Sequence, residues 1–378
     1  YITHYDKWPS FLVVMNINNK HDIVFILPLL SGGGAERVSI NLLKGLQNHG
    51  YSVGIITFDN SRSFFSMVLD DIPIYNLNTI SLRYSIIPLI KKIKYLKPKV
   101  IFSTLGYINV LLLFARWALP QKVEIWIREA NLPSISIPNN AYPKAMNAFY
   151  WMLCKTADKM ICTSERMKDE FVFDYRVSKE IIKILPNPVD VDEIHKSVLS
   201  IKRFDRGGVC YVAAGRLVFQ KGFDRLLHWF SELKGKEATL VILGEGALEN
   251  ELIDMVILLN LQGRVKFVGF CKNPWNWYAG ADAFLLSSRW EGMPNVVLES
   301  LACGTPVIAT EESGGVEEIC RQGKNNSVIT VTKPQQFIKA MEKVKIKDKN
   351  FELKSLLPDR YIKENVIHTF KGWIDELK

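Results

Sequence analysis

The 378-residue chain lacks an apolar run long enough to cross a membrane and lacks any cysteine pattern typical of a metal finger. A spanning helix needs roughly 18 uncharged apolar residues. The nearest approach, Val110 to Leu119, is interrupted by Arg116 and followed by Pro120. The six cysteines form no C-x-x-C pair, and several lie inside apolar runs, as Cys210 does. These absences predict a chain without a membrane span and with buried, reduced thiols, as in a cytosolic protein.

Acidic residues are fewer than basic ones, 39 against 48, which gives a formal charge of +9 and favours an anionic partner. No finger, recognition helix or aromatic-basic platform accompanies this charge, so we expect no nucleic acid partner. Lysines interleave with apolar residues in the segment Leu82 to Lys99. Two interpretations stay open: a basic helix on an anionic membrane surface, or a helix that covers a sheet and turns its lysines to solvent.

The first residues do not fit the fold pattern. The chain opens with Tyr1, and the first convincing strand follows Met15. The segment Phe11 to Met15 lacks the basic flank and cleavage site of a secretory signal. We therefore interpret residues 1–14 as an extension or an added remnant.

Apolar strands alternate with helical patterns in both halves of the chain, which predicts parallel sheets covered on both faces. Predicted strands of the first half are Asp22–Leu29, Ser52–Phe58, Val100–Ser103, Val123–Arg128 and Met160–Thr163, with a helix at Ala35–Asn48. Those of the second half are Val209–Ala214, Ala238–Leu243, Val265–Val268, Ala283–Ser287 and Pro306–Ala309. The fold class is α/β, with two Rossmann-like, doubly wound parallel-sheet domains that face a cleft.

A proline-rich segment separates the two halves. Ile184 to Asp190 contains Pro186 and Pro188 and is followed by a polar, basic stretch to Gly208. This composition predicts a rigid linker. We place the first domain at residues 15–190 and the second at 200–359.

The loop Gly215 to Gly222 directly follows the first strand of the second domain. It carries Arg216 and Lys221 at the start of the next helix, where free N–H groups also favour an anion. A guanidinium fork and an ammonium point charge suit a diphosphate. A merely solvated basic loop is the alternative.

A second strand-ending loop carries two carboxylates. In the segment Glu291 to Glu299, we expect Glu291 in the loop, Pro294 at the first helical position and Glu299 in the early turns of the helix. Gly292 lets a ligand approach the backbone, and the N–H groups of Asn295 and Val296 point into the predicted cleft. Helix capping with a surface glutamate is the alternative.

A glycine turn, Ser31 to Gly34, opens the first helix of the first domain. It does not have the G-x-G-x-x-G spacing of a dinucleotide site. It still forms a backbone nest that suits an anion.

Together, the segments GGGAER, NPVD, GRLVFQKG, LGEG, VGF, SRWEGMPNVVLE and GTPVIAT resemble the retaining glycosyltransferases of family 4, which have the GT-B fold. Glu291 and Glu299 match the E-x7-E motif of that group. The resemblance implies that Arg216 and Lys221 clamp the donor diphosphate, that Glu291 contacts the transferred sugar and that Glu299 binds the ribose. It also implies that Phe270 receives the base.

The resemblance extends to further donor contacts and to the end of the chain. Gly33 and Gly34 approach the phosphates from the first domain. The remaining donor contacts are Gly244, Gly292, Met293, Pro294, Asn295 and Val296. The last helix, residues 360–378, packs back onto the first domain.

Two departures from the family pattern affect the acceptor and the metal. No histidine occupies the loop Ser103 to Tyr107, so Arg128, Glu129 and Asn131 are the candidates on the acceptor side, with ordinary loop and capping use as the alternative. Asp190-Val191-Asp192 matches D-x-D, a manganese motif of a different glycosyltransferase fold, but it follows Pro188 in the linker. We interpret it as turn and cap chemistry and predict no metal and no cofactor.

The resemblance implies a hexose or N-acetylhexosamine donor, with a UDP-sugar favoured. The charge favours a lipid-linked, lipopolysaccharide or polysaccharide acceptor, used peripherally at the inner, cytoplasmic face of the membrane. Three alternatives remain: a nucleotide-sugar epimerase of similar fold, an NAD-dependent oxidoreductase and a silent binding subunit.

Overall fold

The computed structural model describes residues 20–27, 34–58, 72–79, 82–138, 142–198, 207–234, 237–323, 326–348 and 351–377. The proposed extension 1–14, the glycine turn 31–33 with its candidate Gly33, and the end of the first predicted strand lie outside these residues.

The first sheet has seven parallel strands in the order β3-β2-β1-β4-β5-β6-β7. They are β1 (Ile23–Ile26), β2 (Val53–Thr57), β3 (Ile74–Asn76), β4 (Val100–Ser103), β5 (Glu124–Arg128), β6 (Lys159–Cys162) and β7 (Ile182–Ile184). The interior strand β1 reads Ile-Val-Phe-Ile and is completely buried. A strand covered on both faces needs such a continuous apolar sequence.

Helices cover both faces of this sheet. They are α1 (Gly34–Asn48), α2 (Leu82–Leu96), α3 (Gly106–Phe114), α4 (Pro133–Ser136), α5 (Pro143–Leu153) and α6 (Glu165–Phe173). One core holds residues of α2, α3, α5 and α6, and the core on the other face holds residues of α1 and of the last helix, α14 (Lys363–Asp375). In this second core Phe370 of α14 packs against Phe25 and Phe102 of the sheet.

The second sheet has six parallel strands in the order β10-β9-β8-β11-β12-β13. They are β8 (Cys210–Ala214), β9 (Thr239–Leu243), β10 (Val265–Gly269), β11 (Ala283–Leu286), β12 (Val307–Thr310) and β13 (Val328–Val331). Its helices are α8 (Phe223–Ser231), α9 (Glu249–Leu258), α10 (Trp275–Gly280), α11 (Asn295–Ala302), α12 (Val316–Gln322) and α13 (Pro334–Glu342). Helices α10, α11 and α12 pack on one face, and α8, α9 and α13 on the other.

The predicted α/β class, with two doubly wound parallel sheets, is confirmed. Three strands escaped the sequence prediction, namely β3, β7 and β13. Each is short and contains exposed or half-buried residues, so its sequence lacks the continuous apolar run of a fully buried strand. The predicted linker was wrong in part. Ile184 ends strand β7, and the stretch taken as linker contains helix α7 (Val191–Ser197).

The described cysteines are free thiols, of which Cys271 and Cys320 are half-buried and the other four buried. Within the described ranges, every helix is too short or too polar to cross a membrane.

Candidate active site

Lys221 and Glu291 meet at the carboxyl ends of the strands of the second sheet. Lys221 Nζ lies 2.6 Å from Glu291 Oε1, and their side chains are only 15% and 8% exposed. Ser288 Oγ donates to the same oxygen at 2.6 Å. The two loops that carry Lys221 and Glu291 follow β8 and β11, neighbours at which the strand order reverses. Ligands of open α/β sheets bind at such a switch point.

A glycine and an arginine hold these two loops together. Gly222 has φ +64°, and a Cβ atom there would lie 2.2 Å from the carbonyl oxygen of Ser287. Arg225 Nε donates to that oxygen at 2.7 Å, and its Nη2 donates to the carbonyl oxygen of Ser288, also at 2.7 Å. The position of Lys221 relative to Glu291 is therefore fixed by backbone contacts on both sides.

Arg216 is exposed, unlike Lys221. Its Nη2 lies 3.5 Å from Gln220 Oε1, a long contact. Gln220 in turn donates to the carbonyl oxygen of Trp290 at 3.0 Å, so it belongs to the same pair of loops. Arg216 thus stands at the rim of the site with its guanidinium accessible to an anion.

The loop from Glu291 to Pro294 is buried and touches the first domain. A Cβ atom at Gly292 would lie 2.2 Å from the carbonyl oxygen of Ala130. Helix α11 begins at Asn295, with Pro294 at the N-cap, one position earlier than predicted. Its first N–H groups, at Asn295 and Val296, have no intrahelical acceptor. Gly292 therefore allows the backbones of the two domains to approach each other closely beside Glu291.

Glu299 lies within α11, as predicted, and its side chain is 12% exposed. Its Oε1 is 3.4 Å from Arg37 Nη1 of the first domain, and its Oε2 accepts from Trp275 Nε1 at 3.3 Å. Burial raises the pKa of Glu299, and the charge of Arg37 opposes that shift. The carboxyl thus lies between the domains, and its contact with a ribose stays a prediction.

The loops after β9 and β10 complete the edge of the second sheet. Gly244 has φ +128°, and a Cβ atom there would lie 1.9 Å from the carbonyl oxygen of Gly215. Phe270 is 70% exposed, and its backbone N–H donates to Glu245 Oε1 at 3.1 Å. The ring is therefore accessible to a base, whereas the N–H already has an acceptor.

A polar chain links the two domains beside this edge. Arg128 is buried and donates to Asn187 Oδ1 at 2.5 Å. Asn187 Nδ2 lies 2.5 Å from Asn295 Oδ1, and Asn295 Nδ2 donates to the carbonyl oxygen of Gly34 at 3.3 Å. Burial lowers the pKa of Arg128 to about 10. Arg128 thus positions Asn187 instead of facing the cleft.

Glu129 and Asn131 line a cavity of about 190 Å³ at the carboxyl ends of β4 and β5. Glu129 is buried, and its Oε1 accepts from Asn109 Nδ2 at 2.5 Å and from the Tyr150 hydroxyl. Burial raises the pKa of Glu129 to about 7, although both hydrogen bonds and Arg128 oppose the shift. A carboxyl that titrates near neutrality inside a cavity is a candidate functional group.

Several residues of this region were not among those predicted from the sequence. They are Arg37, Asn109, Tyr150, Asn187, Trp275 and Ser288. Arg37, Asn187 and Ser288 lie in the segments GGGAER, NPVD and SRWEGMPNVVLE, whereas Asn109, Tyr150 and Trp275 lie outside the segments that carry the resemblance.

The D-x-D segment is a helix cap, as predicted. Asp190 Oδ1 accepts from the N–H of Glu193 at 2.8 Å, and Oδ2 accepts from Lys363 Nζ at 2.6 Å. Both oxygens are therefore engaged in structural contacts. In the part of the chain that the structure describes, no three His, Cys, Asp or Glu side chains cluster as metal ligands would.

Two family profiles match the two halves of the chain. The profile "Glycosyltransferase Family 4" matches residues 32–193, and "Glycosyl transferases group 1" matches residues 200–359. The Campylobacter jejuni enzyme N-acetylgalactosamine-N,N'-diacetylbacillosaminyl-diphospho-undecaprenol 4-alpha-N-acetylgalactosaminyltransferase is 30% identical over 306 residues. This match covers 77% of the present chain and 80% of the relative.

Solved structures share the fold over almost the full chain. The lipopolysaccharide outer core galactosyltransferase WaaB in its apo form has a TM-score of 0.73 at 19% identity and covers 94% of this chain and 99% of its own. HepE of Anabaena in complex with UDP has a TM-score of 0.70 at 19% identity, covering 94% and 98%. These relatives are transferases, and the epimerase alternative is not favoured. The chain belongs to the family 4 glycosyltransferases with the GT-B fold.

Proposed function

We propose that this glycosyltransferase moves a hexose or N-acetylhexosamine, with retention, from a nucleotide diphosphate sugar to a lipid-linked or cell-surface glycan. The observation that carries the proposal is the Lys221–Glu291 pair, 2.6 Å apart at the switch point of the second sheet. A cation and a carboxylate side by side suit a donor whose diphosphate and sugar are adjacent. UDP is the favoured nucleotide, since a structure of similar fold was solved with it.

The chemistry places negative charge where the cations stand. The bond between the anomeric carbon and the distal phosphate oxygen breaks, and the nucleoside diphosphate leaves with the electron pair. The acceptor oxygen bonds to the same face of that carbon, and its proton passes to the departing phosphate. Lys221 and Arg216 act more strongly on the developing charge than on the bound donor, which lowers the barrier.

The other candidate residues surround this reaction centre in our proposal. Glu291 holds a hydroxyl of the transferred sugar, and Glu299 exchanges its contact with Arg37 for the ribose. Phe270 stacks on the base with its exposed ring. The N–H groups that begin α11, together with Gly34 across the cleft, approach the phosphates.

The positive charge of the chain and the acceptors of its relatives support this choice of acceptor. The Campylobacter enzyme acts on a diphospho-undecaprenol substrate, and WaaB acts on lipopolysaccharide outer core. A lipid-linked acceptor requires the active site to stand near a membrane. We therefore propose a peripheral location at the cytoplasmic face.

The helices on one face of the first sheet support this location. Large apolar side chains are exposed along α2, α3, α5 and the turn between α3 and β5, namely Tyr84, Ile87, Tyr95, Phe114, Trp117, Tyr142, Phe149, Trp151 and Met152. We call these residues the aromatic surface. Exposed lysines accompany them: Lys91 and Lys94 on α2, Lys144 on α5, and Lys155, whose Nζ lies 4.0 Å from the Trp151 ring centre. Aromatic rings with lysines fit an anionic membrane interface.

The donor is tested by thermal shift and by product release. Purified protein is screened against UDP and GDP and against UDP- and GDP-linked hexoses and N-acetylhexosamines, and nucleoside diphosphate release is then measured with and without a polyprenyl diphosphate N-acetylhexosamine. We expect stabilisation by UDP ligands, acceptor-dependent release and retained anomeric configuration by NMR. Conversion of the donor without an acceptor into its epimer would contradict the proposal.

The membrane proposal is tested by sedimentation with phosphatidylglycerol and phosphatidylcholine vesicles. We expect the protein to bind phosphatidylglycerol vesicles more strongly than phosphatidylcholine vesicles. High salt should weaken this binding, and the double variant Trp117→Ser/Trp151→Ser should lose it. Leu258→Ser, at a 78% exposed residue of the second domain, is the matched control. Equal binding to both lipids, or an equal effect of the control, would contradict it.

A further inference from the structure

The cavity that contains Glu129 is built from two loops and two helices of the first domain. Thr104 and Gly106 come from the loop after β4 and the start of α3, Glu129 and Asn131 from the end of β5, and Met146 and Tyr150 from α5. Its volume of about 190 Å³ is below the roughly 300–1,000 Å³ of pockets that bury drug-sized ligands. A single sugar unit is a ligand of the appropriate size and polarity.

The two carboxyl oxygens of Glu129 have different surroundings. Oε1 accepts both hydrogen bonds, from Asn109 and Tyr150. Oε2 accepts none from the residues that the structure describes, although it lies 3.5 Å from the position of a Cβ atom on Gly106, a cavity residue. Asn109 and Tyr150 thus fix the carboxyl from one side and leave one oxygen for a ligand.

The cavity lies directly beside the donor loop. Ala130 and Asn131 line it, and the backbone of both residues lies against Gly292, with Asn131 Cα 2.9 Å from a Cβ position there. Gly292 follows Glu291, which our proposed function assigns to the transferred sugar. A ligand in the cavity is therefore next to the reaction centre.

We infer that this cavity binds the terminal sugar of the acceptor and that Glu129 Oε2 accepts a hydrogen bond from one of its hydroxyls. This inference rests on the proposed function and extends it to a specific acceptor residue. Asn109 is a positioning residue, because it acts on the substrate through Glu129, whereas Tyr150 holds Glu129 and also lines the cavity. The cavity admits one sugar ring, so the rest of the acceptor extends out along α3 and α5 towards the aromatic surface.

Ionisation of Glu129 gives the inference a pH signature. Burial raises its pKa to about 7, so it gains its charge as the pH rises through neutrality. The titratable groups around it on neighbouring elements are Arg128, Tyr150, Cys154, Cys162 and Tyr175. Burial raises the pKa of the tyrosines and cysteines among them, so only Glu129 titrates near neutrality in this group. A carboxylate accepts a hydroxyl hydrogen bond better than a protonated carboxyl does, so acceptor affinity rises with pH.

The test separates acceptor from donor binding. Two quantities are measured from pH 6 to 9: the KM for a polyprenyl diphosphate N-acetylhexosamine and the Kd for UDP-N-acetylhexosamine. The proteins compared are the wild type, Glu129→Gln, Tyr150→Phe and the surface control Glu165→Gln. We expect Glu129→Gln to raise acceptor KM at least about tenfold at pH 8, to flatten its pH profile and to leave donor Kd unchanged. We expect Tyr150→Phe to shift the midpoint of that profile. An unchanged acceptor KM, or an equal change in donor Kd, would overturn the inference.

A binding measurement makes the inference independent of turnover. Saturation-transfer NMR with methyl hexosides and methyl N-acetylhexosaminides, in the presence of UDP, reports occupancy of the cavity. Binding by the wild type that is lost in Glu129→Gln supports the inference, and equal signals from both proteins, or none from either, overturn it. If the wild type binds no nucleotide sugar, the proposed function itself fails, an outcome distinct from failure of the cavity alone.

Discussion

Lys221 and Glu291, 70 residues apart in the sequence, form an ion pair with Nζ 2.6 Å from Oε1, and Ser288 donates to the same oxygen. Because the pair is mostly buried, breaking it without a replacement partner costs more than breaking a surface pair. A donor diphosphate supplies that replacement for Lys221, and the hydroxyls of the transferred sugar supply it for Glu291. The unliganded pair thus holds both side chains where we propose that substrate groups bind.

Gly292→Ala tests the contact between the domains. A methyl group at residue 292 would lie 2.2 Å from the Ala130 carbonyl oxygen, so the loop that follows Glu291 and the backbone at Ala130 must move apart. We expect turnover to fall on the order of 10- to 100-fold, as for a small misplacement of reacting groups. Gly372→Ala is the matched control: nothing lies within 4 Å of its Cβ position, inside α14. It should stabilise the protein by roughly 0.5–1 kcal/mol without loss of turnover, and equal turnover of both variants would contradict the account.

Asn187→Ala tests the polar chain between Arg128 and Asn295. The change removes the acceptor of a buried guanidinium, since Arg128 is only 1% exposed. We expect the free energy of unfolding to fall by about 1–3 kcal/mol, measured by urea denaturation. Asn365→Ala, at an exposed residue of α14, should have a much smaller effect. Equal effects of the two substitutions on the free energy of unfolding would show that the hydrogen bonds between Arg128, Asn187 and Asn295 do not stabilise the fold.

The stability of the fold should depend on pH through Glu129. Its pKa is raised from 4.5 to about 7 on folding, so the unfolded chain loses this proton first as the pH rises. The native state then binds more protons than the unfolded state between about pH 4.5 and 7, and stability falls across this range. Glu129→Gln has no titrating carboxyl at this position. The Tm of the wild type minus the Tm of the variant should therefore decrease from pH 5 to pH 8. Parallel Tm profiles would exclude a raised pKa.

Transfer is expected to need no divalent metal. Asp190 of the D-x-D segment uses both oxygens, to cap α7 and to bind Lys363. Turnover measured with EDTA should equal turnover measured without it, at every EDTA concentration that leaves the protein folded. Loss of activity with EDTA and its return on addition of Mn²⁺ would show that this prediction is wrong.

The sequence predicted the central strands and the donor-side motifs because their signals are local. A run such as Ile23 to Ile26 is apolar throughout, and Lys221 and Glu291 each lie in a strand-ending loop. Contacts between distant segments had no such signal. Arg37 and Glu299 are 262 residues apart, and the partners of Glu129 come from two separate helices. The edge strand β3 is partly exposed, so its residues lack the continuous apolar pattern of the centre.

The most direct test of the account is the turnover of Lys221→Ala and Arg216→Ala, measured with the nucleotide sugar and the acceptor that the thermal-shift and product-release assays select. Lys339→Ala, at an exposed residue of α13, is the control for removal of a positive charge from the same domain. We predict that kcat falls by on the order of 10²–10³ in each site variant, with the circular dichroism spectrum of the wild type retained in both. The Tm should stay close to that of the wild type in Arg216→Ala and fall in Lys221→Ala, because Glu291 loses its buried partner. Near-normal kcat in both site variants would contradict the assignment of the donor diphosphate to these two side chains.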